Sequence, residues 1–93
     1  MNIFKSNPIN QVWQNICRHE GESFSTIRGI SYQYVVKENY ILINNDPRRK
    51  VKKEAIEKAL LIQNPSPSKL QQEGFWANSY LYGIITDARI KIQ

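Results

Sequence analysis

The chain has 93 residues, one Cys, 41% hydrophobic residues and a formal net charge of +5. These values fit one small folded domain over residues 1–93 and argue against general disorder. A lone Cys excludes an internal disulfide. The longest apolar runs fall far short of the roughly 20 residues that a membrane span needs. The N-terminal residues lack the apolar core of a signal peptide. We therefore expect a cytoplasmic protein with no membrane partner.

An amphipathic helix is predicted near the N-terminus. Asn7 is a suitable N-cap, and Pro8 fits the first helical position, where no N–H is needed. Apolar residues then recur at helical spacing, and Gly21 is a natural stop. The apolar stripe consists of Ile9, Val12, Trp13, Ile16 and Cys17. Its spacing predicts that Cys17 is a buried small hydrophobe.

Residues 23–44 change to the alternating period of β-strands and are rich in Tyr, Ile and Val. Turns are predicted at Arg28-Gly29 and at Glu38-Asn39. The segment therefore predicts a three-stranded antiparallel meander.

The register of the second hairpin depends on its turn. A two-residue turn at residues 38–39 places Val36 opposite Ile41 and Tyr34 opposite Ile43. A bulge would reverse which face of the sheet is buried, so both registers stay open.

A second helix is predicted to begin with Asp46 as cap and Pro47 as first helical residue. Its expected packing residues are Val51, Ala55, Ile56, Ala59, Leu60 and Ile62. The NPSPS stretch at 64–68 is linker-like but too short to separate two domains.

The C-terminal third predicts short elements. Ser66-Pro67 caps a short helical turn, and Asn78 or Ser79 caps a third helix reaching residue 87. The same run could be a strand, because Tyr, Ile and Thr favour strands and Gly83 weakens a helix. Residues 88–93 alternate in the manner of an edge strand. The expected fold class is α+β.

Positive charge is concentrated in residues 46–63, which carry six Lys or Arg against three acids. Five cations lie at the predicted start of the second helix: Arg48, Arg49, Lys50, Lys52 and Lys53. Because a helix N-terminus is itself positive, this placement is unfavourable unless an anion such as phosphate binds there. The alternative is a solvated helix face, with Lys50, Glu54 and Lys58 paired four residues apart.

The sequence offers little chemistry for catalysis. Cys17 and His19, the only residues of their types, project in different directions from a helix. Glu54 and Glu57 each have a Lys four residues away, which favours surface ion pairs. With no metal-ligand spacing and no Gly-rich phosphate loop, we expect no cofactor, no metal site and no enzyme activity.

The segment KKEAIEKAL, after a helix and three antiparallel strands, resembles the double-stranded-RNA-binding domain. That resemblance implies phosphate contacts from Lys52 and Lys53, with Ala55, Ala59 and Leu60 on the packing side. The loop at Arg28-Gly29 is shorter than the one by which that family reaches the minor groove. More broadly, GESF-T, G-SYQYVV and SY-IITD-RI resemble small bacterial proteins of unassigned function, which implies no activity.

The leading expectation is a non-catalytic nucleic-acid-binding module for DNA or RNA, with phosphates held by the five cations and by Arg28 from the sheet turn. The Tyr-rich strands could add stacking surfaces, although core packing is their ordinary use. The rival expectation is a small interaction or regulatory protein with an acidic partner. Its interface anchors would be Trp76, Tyr80 and Tyr82.

Overall fold

The computed structural model describes residues 8–62, 65–72, 74 and 77–91. In this part of the chain an α+β fold combines four helices with two small antiparallel sheets. No helix found there is long and apolar enough to cross a membrane. The predicted cap at Asn7 and the predicted anchor at Trp76 lie outside the described residues.

The predicted first helix is confirmed as α1, Pro8–Arg18. Ile9, Val12 and Ile16 are buried, and Trp13 is half-buried against the core. The prediction that Cys17 is buried is wrong, because its side chain is exposed. At about 100° per residue, Cys17 lies at the margin of a stripe centred on those three residues, where solvent still reaches it.

The first hairpin pairs β1, Phe24–Ser25, with β2, Ser31–Tyr32. Its turn contains Arg28 and Gly29, as predicted, and Gly29 has a φ of +86°. Such left-handed backbone favours Gly, which explains the residue at this corner. Arg28 therefore lies at an exposed hairpin tip.

The second hairpin pairs β3, Tyr34–Val36, with β4, Tyr40–Ile43. Tyr34 lies opposite Ile43 and Val36 opposite Ile41, which confirms the register of the two-residue turn. The predicted meander has one long middle strand. In the structure this strand is interrupted at Gln33, which separates β2 from β3. There the backbone O of Gln33 accepts a hydrogen bond from Asn44 N at 2.7 Å, while Gln33 N donates to Asn44 Oδ1 at 3.1 Å.

A fifth strand, β5, Lys50–Lys52, was not predicted. It pairs antiparallel with β4 and forms one edge of the sheet β3-β4-β5. Asp46 and Pro47 therefore belong to the β4–β5 connection and do not begin a helix, so that prediction is wrong. The connection starts with Asn44 and Asn45, both at φ +55°, a conformation that Asn adopts more readily than most residues.

The second helix is α2, Lys53–Leu60, and it begins directly after β5. Its N-cap is Lys52, which makes no side-chain capping hydrogen bond. Ile56 and Ala59 are buried as predicted, and Ala55, Leu60 and Ile62 pack partly buried against the core. Of the five cations, only Lys52 and Lys53 consequently lie at a helix N-terminus. The other three belong to the preceding connection and strand.

The C-terminal elements are α3, Pro67–Gln72, and α4, Asn78–Thr86. The helical alternative for residues 79–87 is therefore confirmed. Its N-cap is Ala77 and no side chain caps it, so the Asn78 or Ser79 cap is wrong. The expected edge strand is absent from residues 88–91, which form turns and a bend.

One core cluster joins the helices to the inner face of β3-β4-β5. Tyr32 and Tyr34 are buried in it, and their hydroxyls donate to the backbone O of Tyr80 at 2.9 Å and of Ile16 at 2.6 Å. Burial raises the pKa of both phenols above the ordinary range. These two tyrosines are core residues and offer no surface for base stacking.

Candidate nucleic-acid interface

The strand β5 separates its three side chains between two environments. Val51 is 4% exposed and belongs to the core cluster, whereas Lys50 and Lys52 are exposed. Successive side chains of a strand point to opposite faces, so both lysines project from the sheet face that turns away from the core. A strand thus presents two cations side by side, at a spacing of about 7 Å along the chain.

The strand register shows what surrounds these lysines. Lys52 lies opposite Tyr40 and Lys50 lies opposite Leu42, so all four share one face. Lys37 extends the ladder, since its N–H donates to the backbone O of Tyr40 at 2.8 Å. We call this surface of Lys37, Tyr40, Leu42, Lys50 and Lys52 the basic face.

Tyr40 is the half-buried aromatic residue of the basic face. Lys50 Nζ lies 4.4 Å from the centroid of its ring. An ammonium at that distance is attracted to the ring electrons, by about 0.5–1 kcal/mol where the pair is exposed. Tyr40 therefore holds Lys50 over the sheet without neutralising its charge.

The two arginines of the predicted cluster are paired within the protein. Arg48 donates from Nε and Nη2 to the two carboxylate oxygens of Asp46, each at 3.2 Å. Arg49 Nε lies 3.7 Å from Asp46 Oδ2. Hydrogen bonds from Arg48 lower the pKa of Asp46, so this carboxylate stays ionised and offsets part of the arginine charge. The side chain of Arg48 is nevertheless 89% exposed.

Two other predicted site residues lie outside the strands that form the basic face. Lys53 is the first residue of α2, is half-buried, and has Nζ 5.5 Å from the ring centroid of Trp13. Arg28 lines a separate cleft beside Tyr80, with Ile27 and Ile30 of its own hairpin. The structure therefore does not place Arg28 in either cleft that the lysines line.

Two clefts adjoin β5, and both include Lys50, Lys52 and Glu54. The first, of about 520 Å³, lies between β5, α2 and the start of α4. The described residues on its exposed rim include four cations and one acid: Arg48, Lys50, Lys52, Lys58 and Glu54. We call it the β5 cleft.

The second cleft, of about 550 Å³, is bounded by α1, the β3–β4 turn and α2. Tyr40 and Lys53 line it, together with two acids, Glu54 and Glu57. Among the described lining residues, positive charge is therefore more strongly in excess in the β5 cleft. Sequence reasoning did not include Lys37, Tyr40 or Lys58 in the site. The pairing of Tyr40 with Lys52 can be derived only if residues 50–52 are known to form a strand.

No group of three or more His, Cys, Asp or Glu within the described residues could hold a metal ion. Cys17 is exposed, but partial desolvation, followed by the charge of Glu20, raises the pKa of its thiol, which disfavours the reactive thiolate. The His19 side chain contacts a surface carboxylate, with its Nδ1 2.9 Å from Glu22 Oε2.

No family model, curated protein or solved structure matches the chain. Its function is therefore inferred from the charges, clefts and exposed side chains of the basic face.

Proposed function

We propose that this chain is a non-catalytic nucleic-acid-binding module whose basic face contacts phosphates. The observation that carries the proposal is the pair Lys50 and Lys52, exposed on one strand between two clefts. Neither lysine forms an ion pair with a described acid. Clustered cations of this kind attract the phosphate backbone and release its counterions.

The proposed contact differs from the one that the sequence suggested. Most of the proposed contacts lie on strands or their connections, and Lys52 alone among them caps a helix N-terminus. Lys50 and Lys52 are the principal phosphate contacts, with Lys37 and Lys58 beside them. Arg48 is available once it exchanges Asp46 for a phosphate. Arg49, Lys53 and Arg28 are peripheral in this proposal.

The ligand class is DNA or RNA, and the contacts are to its backbone. Contacts between cations and phosphates fix position and affinity but carry no base information. No metal or cofactor is needed for binding of this kind, and a cytoplasmic location is consistent with it. The rival proposal, an acidic protein partner, uses the same cations. It loses one interface anchor, because Tyr80 is half-buried, accepts a hydrogen bond from Arg49 and contacts Tyr32 edge-on.

The test is fluorescence anisotropy at low salt with labelled single- and double-stranded DNA and RNA. We expect the double substitution Lys50→Gln and Lys52→Gln to weaken binding about tenfold. The control is Arg18→Gln with Lys91→Gln, which removes the same charge from exposed residues outside both clefts. The control should change the affinity less than about twofold.

A polyglutamate peptide of matched charge serves as the probe for the rival proposal. The nucleic-acid proposal predicts that this peptide competes poorly with the oligonucleotides. It is contradicted if the wild-type protein binds none of the four nucleic acids, if both double variants lose affinity equally, or if polyglutamate binds more tightly.

A further inference from the structure

The floor of the β5 cleft is apolar, and phosphate binding alone does not account for it. Val51, Ala77 and Leu81 are buried beneath the cleft, at 4%, 5% and 1% exposure. Ala55 of α2, partly exposed, forms the wall of the cleft on the helix side. The rim is cationic, as described above. The cleft therefore combines an apolar surface with positive charge directly above it.

The edge of β5 adds backbone hydrogen-bonding groups to this cleft. The sheet order leaves β5 with β4 as its neighbour on one side. Arg49 O accepts from Ile43 N at 3.1 Å and Lys53 N donates to Asn39 O at 2.7 Å. Because hydrogen bonding alternates along an antiparallel strand, the intervening Val51 bonds to β4, and the N–H groups of Lys50 and Lys52 point toward the outer edge.

From this combination we propose that the β5 cleft binds single-stranded nucleic acid, with one unstacked base against the apolar floor and adjacent phosphates on the cationic rim. The proposal rests on the proposed function and specifies its ligand class. A volume of about 520 Å³ lies within the range of small-ligand pockets and is ample for one base.

Charge and shape together favour a single strand over a duplex. A duplex keeps its bases stacked inside and presents phosphates outside, so it can use the rim but not the floor. A single strand offers a base face and a phosphate within one nucleotide, which matches the floor and the rim. The outward N–H groups of β5 can then donate to acceptor atoms on the base edge.

The test compares three labelled ligands by anisotropy on the intact chain. These are an oligothymidylate about 12 nucleotides long, within the site sizes of single-strand modules, an abasic strand of the same length, and a duplex of the same length. We expect the oligothymidylate to bind about tenfold more tightly than the abasic strand or the duplex. The corresponding oligouridylate distinguishes RNA from DNA.

A cavity-filling variant locates the base. Ala55→Leu narrows the cleft without changing charge and retains a good helix former, so it should reduce oligothymidylate binding to the level of the abasic strand. Ala88→Leu is the matched control at an exposed residue outside the cleft, and it should bind like the wild type. Circular dichroism shows whether each variant folds, and the abasic comparison needs no variant.

The outcomes separate this inference from the proposed function. Equal affinity for the oligothymidylate and the abasic strand, or tighter binding of the duplex, would overturn the base-binding cleft while leaving phosphate binding by the basic face intact. If neither these ligands nor single- or double-stranded RNA binds at low salt, both proposals fail.

Discussion

The guanidinium of Arg49 donates a hydrogen bond from Nη1 to the Tyr80 hydroxyl at 2.7 Å, and its Cζ lies 5.4 Å from the centroid of that ring. This contact joins the β4–β5 connection to α4. Tyr80 also packs edge-on against the buried Tyr32. Arg49 is therefore a clustered cation whose contacts stabilise the fold and leave it a small role in binding.

Tyr80→Phe tests that assignment. The substitution removes the hydroxyl and keeps the ring, so the free energy of unfolding should fall by about 1.5 kcal/mol, the low end for a hydrogen bond to a charged group. Urea denaturation measures this change, and anisotropy should show unchanged nucleic-acid affinity. Arg49→Gln should be similarly destabilising. A large loss of affinity without a loss of stability would instead make Arg49 a binding residue.

Asp46→Asn should increase nucleic-acid affinity. Asp46 is the carboxylate that holds Arg48, and its Oδ1 also accepts the backbone N–H of Arg48 at 2.9 Å. Asn keeps a side-chain acceptor for that N–H but removes the negative charge. We expect about threefold tighter binding at low salt, with the gain disappearing as salt screens the exposed charges. Weaker binding would show that Asp46 positions Arg48 for the ligand.

Gly83→Ala should destabilise the protein, although Ala is ordinarily the better helix former by about 1 kcal/mol. A Cβ at residue 83 would lie 2.6 Å from the Tyr32 hydroxyl and 2.9 Å from the backbone O of Ser25. The close packing of α4 on β1 and β2 therefore requires Gly. Thermal unfolding of Gly83→Ala checks this expectation, and adding Tyr32→Phe should restore only part of the loss because the Ser25 contact remains.

Arg89 should give the protein a pH-dependent stability. It bonds to both oxygens of Asp87 at 2.9 Å, to Glu22 at 3.0 Å and to Ser23 O at 2.9 Å, and its Cζ lies 3.9 Å from the ring centroid of Phe24. These hydrogen bonds lower the pKa of Asp87, and hydrogen bonds from His19 and Arg89 lower that of Glu22.

A carboxylate whose pKa is lower in the folded state stabilises that state above its unfolded pKa, about 4 here. That stability is lost as the pH falls through the folded value. Arg89→Gln should therefore destabilise most at neutral pH and progressively less in acid. Urea midpoints measured at about pH 7 and about pH 3 test this, with Lys91→Gln as the control for net charge. A deficit independent of pH would contradict the ionic role of Arg89.

Local signals predicted several elements correctly. The spacing of Ile9, Val12 and Ile16 is sufficient for α1. The two-residue turn at 38–39 fixes the register of β3 and β4, because each pair follows from counting outward from the turn. Ile30 is 56% exposed because it lies beside the hairpin turn and not within a paired strand.

Only part of the proposed basic face can be derived from the sequence. Val51 fits the alternation of a strand, and it also fits the helical spacing to Ala55. The sequence around Val51 therefore does not distinguish a strand from a helix. The signal for β5 was the pair Asn44 and Asn45, whose left-handed backbone reverses the chain after β4. Without that hairpin, neither the Tyr40–Lys52 pairing nor the apolar floor of the β5 cleft can be derived from the sequence.

The most direct test of the central claim is an amide NMR titration of the ¹⁵N-labelled protein with oligothymidylate at low salt. We predict that the shift changes concentrate in residues 37–42 and 48–58, which contain the basic face and border the β5 cleft. The hairpin around Arg28 should change little. Changes concentrated at residues 26–30, or no changes at saturating ligand, would contradict nucleic-acid binding by the basic face.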